Sequence, residues 1–202
     1  MGATMGTMGA TESHPLLLAS ASPRRRDILG QLGVRFSVEE SGVQEPEAGA
    51  ESPEAYAGRL AGMKAEAVAG SHSKDPERPF VLGADTIVVV RGRILGKPAN
   101  DGEAVGMLMA LAGKTHEVIT ALALRRAGNG YAHGVAVKTR VAFRTFDVET
   151  ARRYVATGEG SDKAGAYAAQ GLGAGFLRAI EGSYSNVVGL PAAETVELLV
   201  HA

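Results

Sequence analysis

Three consecutive arginines stand where a helix is expected to begin. The stretch LLLASASPRRRDIL, residues 16–29, has the pattern of a short apolar strand, a serine-rich turn and a proline leading into a helix. A helix N-terminus already carries about half a unit of positive charge, so each arginine of residues 24–26 opposes the helix dipole by a few tenths of a kcal/mol. A bound anion would remove this conflict. Backbone N–H groups at the helix start and the hydroxyls of Ser20 and Ser22 would complete a phosphate site.

The same stretch also fits a solvated basic helix start that binds nothing. Ser22 suits the N-cap and Pro23 suits the first helical position whether or not a ligand is present. The glycine spacing of a P-loop is missing, which excludes a nucleotide site of the Walker type.

A single carboxylate interrupts the apolar run VLGADTIVVV, residues 81–90. Burying an unpaired carboxylate costs several kcal/mol, so Asp85 is expected to face a cation, a metal ion or a substrate water. The run also fits an aspartate that accepts hydrogen bonds from backbone amides at a bulge after Gly83.

Other polar residues stand in restrained or acidic surroundings. Lys97 lies between Gly96 and Pro98, and Lys64 lies within a predicted helix, although single lysines of this kind are often only solvated. Small neighbours surround a further group, and they fit either the close approach of a ligand or a tight turn with a packed crossover: Asp162, Lys163, Tyr167 and Gln170. An acidic loop either binds a divalent cation or is merely solvated: Glu40, Glu45 and Glu47. Cations for phosphates and carboxylates for Mg²⁺ are together the components of phosphoanhydride chemistry.

Composition excludes several classes of protein. The 202 residues carry a formal net charge of −1, so no overall charge favours nucleic acid or a membrane surface. Cysteine is absent, which excludes disulfides and thiolate metal sites and fits a reducing compartment. The five histidines are scattered without metal-ligand spacing, and His116 is expected to be packed or hydrogen-bonded. Residues 1–14 lack the basic and apolar regions of a secretory signal and are predicted to be a flexible extension.

The elements that must position these residues alternate between strand and helix. Strands are predicted over residues 16–19, 34–41, 80–90, 92–95, 115–126 and 132–146. Helices are predicted over residues 23–32, 52–69, 100–111, 149–157 and 193–201. In the second helix, the inward residues are predicted to be Tyr56, Leu60, Met63 and Ala67. The alternation is too irregular for a doubly wound parallel sheet, so we expect an α/β fold with an antiparallel or mixed sheet.

Five segments in this order resemble the Maf family of nucleoside triphosphate pyrophosphatases: LLLASASPRRRDIL, VLGADTIVVV, ILGKP, MLMALAGKTHEVITAL and DKAGAYAAQGLGAGFLRAIEGSYSNVVGLP. The resemblance covers about residues 16–199. It implies hydrolysis between the α- and β-phosphates, which yields a nucleoside monophosphate and pyrophosphate. It also implies the fold shared with inosine triphosphate pyrophosphatases, an elongated mixed central sheet flanked by helices. Residues 15–202 would then form one catalytic domain of two lobes with a cleft, a divalent cation (Mg²⁺ or Mn²⁺) and a homodimer.

The resemblance implies a role for each matching residue. Asp85 matches the family's proton acceptor, and Glu45 and Asp85 match its metal-binding positions. Three residues match its substrate-selectivity determinants: Arg24, Thr86 and Gln170. Six residues match its phosphate- and substrate-facing positions: Ser20, Arg25, Lys64, Lys97, Asp162 and Lys163.

The form DKAGAY…QG, with Gln170, resembles the branch that acts on dTTP and UTP rather than the branch that acts on 7-methyl-GTP. The implied enzyme is cytoplasmic and cleans the nucleotide pool, with modified pyrimidine nucleotides as further candidate substrates and with neither nucleic acid nor membranes as partners. One alternative is a nucleotide- or nucleic-acid-binding regulator of cell division, for which hydrolysis would be incidental and Asp85 dispensable. Another is a pyrophosphatase of the inosine triphosphate type, against which the SPRR helix start argues.

Overall fold

A single mixed sheet forms the centre of the fold. The computed structural model describes residues 15–202, and the predicted extension, residues 1–14, lies outside the described residues. Seven strands are arranged in the order β2-β1-β3-β5-β6-β7, with β4 paired to β3. Their bounds are β1 Leu16–Ala19, β2 Ser37–Val38, β3 Phe80–Val90, β4 Arg93–Leu95, β5 Thr115–Arg126, β6 Ala132–Phe143 and β7 Leu177–Glu181. Because β1 is parallel to both β2 and β3 whereas β4 and β7 are antiparallel to their partners, the predicted mixed sheet is confirmed.

Helices accompany the sheet along the whole described chain. Their bounds are α1 Pro23–Gln31, α2 Pro53–Ser71, α3 Asp101–Leu111, α4 Val148–Val155, α5 Tyr184–Val188 and α6 Ala192–Val200. Two 3₁₀ segments follow α4, at Ala164–Ala166 and Gly171–Phe176. Within residues 15–202, none of these helices combines the length and the apolar composition that a membrane crossing would require.

The strand predicted over residues 34–41 is wrong in extent. Only Ser37–Val38 pair, and their partners in β1 are Leu17 and Leu18. Since β2 lies at the edge of the sheet, a single neighbour holds it, and that neighbour is itself only four residues long. The alternating pattern therefore continues beyond the strand without a partner to pair with.

The described chain forms two compact units, each with its own core. The first comprises the chain up to Asp85 together with Thr120–Val137 and Gly189–Ala202, and the second comprises Thr86–Ile119 and Lys138–Val188. The first core is mainly leucine: Leu16, Leu18, Leu29, Phe80, Leu82, Leu122, Leu124, Leu190 and Leu199. The second core contains more aromatic residues than the first. Its members include Val88, Leu108, Leu111, Val141, Phe143, Tyr154, Tyr167 and Phe176.

The buried face of α2 differs from the predicted one. The buried residues are Ala57, Leu60, Ala61, Ala65, Val68 and Ala69. Of the predicted inward residues only Leu60 is buried, while Ala67 is exposed and Tyr56 and Met63 are partly exposed. Four of these six buried residues are alanines, and two of them, Ala61 and Ala65, lie directly against β3.

Gly83 makes this close approach possible. A Cβ atom at this position of β3 would lie 2.3 Å from the carbonyl oxygen of Ala61 and 2.9 Å from the Cβ of Ala65. Both neighbours belong to α2, and the nearer atom is backbone that cannot rotate away. The pairing of a strand glycine with helix alanines therefore sets the distance between β3 and α2.

We expect Gly83→Ala to lower the free energy of unfolding by about 1–3 kcal/mol, the usual cost of overpacking a close-packed interior. Urea denaturation of the two proteins measures this difference. Gly58→Ala is the matched control, because a Cβ at this position of α2 would meet nothing within 4 Å and alanine favours a helix. Equal stability of Gly83→Ala and the unsubstituted protein would contradict the proposed tight contact.

His116 is buried among aromatic rings in the second unit, as the sequence predicts. It is 2% exposed, and its Nε2 atom lies 2.8 Å from the hydroxyl oxygen of Tyr167. The rings of Phe143 and Tyr167 meet it edge-on, with centroid distances of 4.8 and 5.5 Å. Burial lowers the pKa of His116 from 6.5 to about 4, because a charged imidazolium would lose its hydration in this core.

This burial makes stability depend on pH in a defined window. The unfolded chain takes up a proton at His116 below about pH 6.5, whereas the folded chain does so only near pH 4. The free energy of unfolding is therefore expected to fall by about 3 kcal/mol as the pH is lowered from 6.5 to 4. Urea denaturation across the window should show this slope reduced in His116→Gln and retained in His133→Gln, a substitution of an exposed histidine. An unchanged slope in His116→Gln would contradict the assignment.

Candidate functional site

Asp85 is buried and paired with a cation. It is 6% exposed on β3, and its Oδ1 atom accepts a hydrogen bond from the Nζ of Lys64 at 2.5 Å. The same ammonium group lies 2.7 Å from Oε1 of Glu45. The structure thus favours the first interpretation of Asp85, a carboxylate facing a cation. The alternative of a solvated Lys64 is wrong, because its side chain is only 12% exposed.

Opposing effects act on the carboxyl group of Asp85. Burial raises its pKa above the ordinary value, while the ammonium of Lys64 and the guanidinium of Arg25 lower it and the carboxylate of Glu45 raises it. The net direction is upward, since desolvation outweighs the cations. A carboxylate whose pKa is raised is a stronger proton acceptor than an ordinary surface aspartate.

The N-cap of α1 lies at the predicted serine, Ser22, but the side chain of that serine does not make the predicted capping hydrogen bond within the described residues. Instead, the hydroxyl oxygen of the buried Ser20 accepts from the backbone N–H of Ser22 at 3.2 Å and from Nη1 of Arg25 at 3.1 Å. Ser20 therefore orients the helix start and the arginine together.

Arg25 is fixed beside these groups by neutral oxygens. Its Nε donates to the carbonyl oxygen of Gly189 at 2.9 Å, in addition to the bond to Ser20. Burial lowers the pKa of Arg25, the charge of Asp85 raises it, and the neighbouring Arg24 lowers it. The electrostatic conflict of the helix start is thus present in the folded chain, where two adjacent guanidinium groups meet the positive end of α1.

The acidic loop between β2 and α2 is held along one face of α2. The hydroxyl of Tyr56 donates to the carbonyl oxygen of Pro46 at 3.1 Å. Arg59 pairs with the carboxylate of Glu51 and donates to the carbonyl oxygen of Glu47 at 3.4 Å. These contacts flank Glu45 on its C-terminal side. Sequence reasoning missed Tyr56 and Arg59 as loop contacts, because it placed Tyr56 in the core and assigned Arg59 no role.

A separate group of predicted site residues lies in the second unit. Lys97 and Gln170 are exposed, and Thr86 is partly exposed. The ammonium of Lys163 donates to the carboxylate of Asp162 and to the carbonyl oxygen of Glu159. Contacts within the structure therefore join the predicted site residues in three groups: Ser20 with Arg25, Lys64 with Glu45 and Asp85, and Lys163 with Asp162. Arg25 in addition acts on Asp85 through its charge.

The residues present fit a divalent cation bound together with a phosphate. The carboxylates of Glu45 and Asp85 lie around one point, because both contact the ammonium group of Lys64. Among residues 15–202, no group of three or more histidine or acidic side chains is arranged to hold a metal. Two carboxylates completed by substrate oxygens and water are nevertheless the donor set that Mg²⁺ commonly uses.

We expect Lys64→Met to raise the pKa of Asp85 further, because the substitution removes the cation that most strongly favours its ionised form. Titration of the carboxyl carbon of Asp85 by NMR measures the change. Lys74→Met, which removes an exposed lysine, is the control and should leave this titration unaltered. An Asp85 pKa that stays constant or falls in Lys64→Met would rule out the ion pair as the stabilising contact.

Comparison with known proteins yields a family model and curated relatives. A family model described as Maf-like protein matches residues 15–202. The dTTP/UTP pyrophosphatase of Pelotomaculum thermopropionicum is 49% identical over 184 residues, which cover 91% of this chain and 94% of that protein. The dTTP/UTP pyrophosphatase of Myxococcus xanthus is 48% identical over 187 residues, 93% of this chain and 92% of that protein. The dTTP/UTP pyrophosphatase of Escherichia coli O157:H7 is 49% identical over 184 residues, 91% of each chain.

Proposed function

Because this chain belongs to the Maf family, we propose that it hydrolyses dTTP and UTP to the nucleoside monophosphate and pyrophosphate. The relatives that carry this activity in their names match over nine-tenths of the chain. The structural observation that carries the proposal is the buried carboxylate of Asp85, held by Lys64 and electrostatically coupled to Arg25. A pure binding protein for an anion would gain nothing from a carboxylate placed among its cations.

Asp85 is the proposed proton acceptor. A water molecule attacks the α-phosphorus, Asp85 takes one of its protons, and the bond from the α-phosphorus to the oxygen that bridges to the β-phosphorus breaks. The electron pair of that bond leaves with pyrophosphate. Burial raises the pKa of Asp85 and strengthens it as a base, while Lys64 keeps the group ionised before the reaction.

The cationic residues are proposed to neutralise the triphosphate. Arg24 and Arg25 stand at the N-terminus of α1, where backbone N–H groups and the helix dipole also favour an anion. Lys97 and Lys163 are the further candidates for contacts with substrate. Rate acceleration of this type comes from positioning and electrostatic stabilisation.

A divalent cation, Mg²⁺ or Mn²⁺, would be held by Glu45 and Asp85 and would supply charge neutralisation to the phosphates. Lys64 contacts both carboxylates, so it keeps them oriented toward a common point. The loop contacts of Tyr56 and Arg59 hold the neighbouring backbone of Glu45 in place.

Base preference is proposed to depend on Gln170, with Thr86 and Arg24 as further determinants. An amide side chain both donates and accepts, which matches a pyrimidine edge that offers a carbonyl oxygen beside an N–H group. The homodimer, the cytoplasmic location and the exclusion of nucleic acid and membrane partners stay predictions from the family resemblance.

We expect purified protein with Mg²⁺ or Mn²⁺ to release monophosphate and pyrophosphate from dTTP and UTP faster than from CTP, ATP, GTP, ITP or 7-methyl-GTP. Asp85→Asn should lower kcat on the order of 10²-fold, because the proton acceptor is lost. Asp101→Asn, at an exposed aspartate of α3, is the control and should retain turnover. Chromatographic separation of the products distinguishes pyrophosphate from single phosphate.

Two outcomes would redirect the assignment. Nucleotide binding without turnover on any substrate, unchanged or tightened in Asp85→Asn, would favour the regulatory binding protein. Turnover confined to ITP would favour a pyrophosphatase of the inosine triphosphate type.

A further inference from the structure

We infer that Tyr154 and Glu159 are positioning residues that set base preference by holding the backbone on both sides of Gln170. The inference rests on the proposed function, in which Gln170 recognises the base. Neither residue is among those that the family resemblance assigns to the substrate. Both lie in the second unit, where they contact residues 168–173.

Glu159 holds the segment on the C-terminal side of Gln170. Its Oε2 atom accepts from the backbone N–H of Leu172 at 2.9 Å, and its Oε1 atom accepts from the backbone N–H of Gly173 at 2.8 Å. Hydrogen bonds to an ionised carboxylate are roughly twice as strong as neutral ones. One side chain therefore fixes two consecutive peptide groups at the start of the second 3₁₀ segment.

Tyr154 holds the segment on the N-terminal side. Its hydroxyl oxygen accepts from the backbone N–H of Ala168 at 3.0 Å, and its O–H donates to Oε1 of Glu159 at 3.0 Å. The tyrosine is 5% exposed, and Phe176 meets its ring edge-on at a centroid distance of 4.9 Å. The hydroxyl is thus a fixed junction between the two sides of the segment.

The segment fits around these two side chains so closely that only glycine is accommodated. A Cβ at Gly171, where φ is +67°, would lie 2.5 Å from Oε2 of Glu159. A Cβ at Gly173 would lie 2.2 Å from the carbonyl oxygen of Ala168 and 2.8 Å from the hydroxyl oxygen of Tyr154. Gln170, between the anchored peptide groups, is exposed. Its backbone is therefore held in place while its side chain remains accessible to a ligand.

The carboxylate stays ionised at neutral pH, so both of its oxygens accept. Burial would raise the pKa of Glu159, but the N–H groups of Gly173 and Leu172 and the hydroxyl of Tyr154 together hold it below its ordinary value. The backbone carbonyl of Glu159 also accepts from the ammonium of Lys163. A single residue thereby contacts the segment of Gln170 with its side chain and the substrate-facing Lys163 with its backbone.

Accurate placement of this kind matters for recognition more than for the chemical step. A site that recognises a base through hydrogen bonds must hold the side chain that makes those bonds within about 0.5 Å of its productive position. Loss of an anchoring hydrogen bond would weaken discrimination between bases, whereas Asp85 belongs to a separate set of contacts. Base preference, rather than turnover, is therefore the property that Tyr154 and Glu159 should control.

The test measures kcat and KM separately for dTTP, UTP and CTP in Tyr154→Phe, Glu159→Gln and Gln170→Ala. Tyr154→Phe retains the ring and Glu159→Gln retains the side-chain length, so both variants are expected to fold. We expect Tyr154→Phe and Glu159→Gln each to raise KM for dTTP and UTP roughly tenfold, the effect of about one hydrogen bond. The ratio of kcat/KM for dTTP or UTP to kcat/KM for CTP should fall accordingly. The kcat for dTTP should change less than about threefold.

A double substitution separates positioning from simple structural support. When Gln170→Ala is already present, adding Tyr154→Phe should no longer alter the preference between dTTP and CTP, because the reading group is gone. Tyr184→Phe and Glu149→Gln, at an exposed tyrosine and an exposed glutamate, are the matched controls and should resemble the unsubstituted protein.

The outcomes distinguish this inference from the function on which it rests. A changed preference in Gln170→Ala, together with an unchanged preference in Tyr154→Phe and Glu159→Gln, would overturn the positioning role and leave the proposed function intact. An equal loss of kcat on every nucleotide would also overturn it, since that result indicates general destabilisation. An unchanged preference in Gln170→Ala would instead remove base reading from the proposed function, and the positioning role with it.

Discussion

The close approach of α2 to β3 is the constraint on which the charged groups of the first unit depend, because it brings Nζ of Lys64 within 2.5 Å of Oδ1 of Asp85, the one buried carboxylate of β3. Gly83, two residues before Asp85, allows α2 to lie directly on β3, and the alanines of α2 complete the contact. The charge arrangement is thus a consequence of close packing, in which three small residues determine where an ammonium group and a carboxylate meet.

Each of the two units contains a carboxylate with a shifted pKa, and the shifts have opposite directions. In the first, charged side chains contact one another, and the balance between burial and charge raises the pKa of Asp85. In the second, the carboxylate of Glu159 contacts backbone N–H groups, and its pKa is lowered instead. The opposite directions follow from the partners, since Asp85 has lost its water to burial whereas Glu159 has replaced water with three donors. One arrangement suits proton transfer, and the other suits rigid support.

The sequence alone allowed the prediction that Asp85 faces a cation, because a lone carboxylate in an apolar strand is conspicuous. It also indicated the glycine-rich stretch that contains Gln170 as a candidate site. It also predicted most elements within a few residues, since β3 and α2 have strong patterns and, for α2, a Ser-Pro start. It did not predict the inward face of α2, because alanine gives a weak hydrophobic signal. The alanines Ala61 and Ala65 are buried because Gly83 of β3 lets the strand lie against them. Tyr154, Glu159 and Arg59 were missed for a related reason. Each of them contacts backbone atoms 12 to 14 residues away in the sequence, and such contacts leave no pattern of residue types.

The glycines at positions 171 and 173 also limit how this protein can diversify. Each lies against an oxygen atom of Glu159 or Tyr154, so a side chain at either position would displace the anchor as well as the segment. New ligand preferences are therefore expected to be most accessible through replacement of the exposed side chain at position 170, which changes the residue proposed to recognise the base and leaves the surrounding backbone contacts intact. A library aimed at other bases would do best to randomise that one position and to keep the surrounding backbone constant.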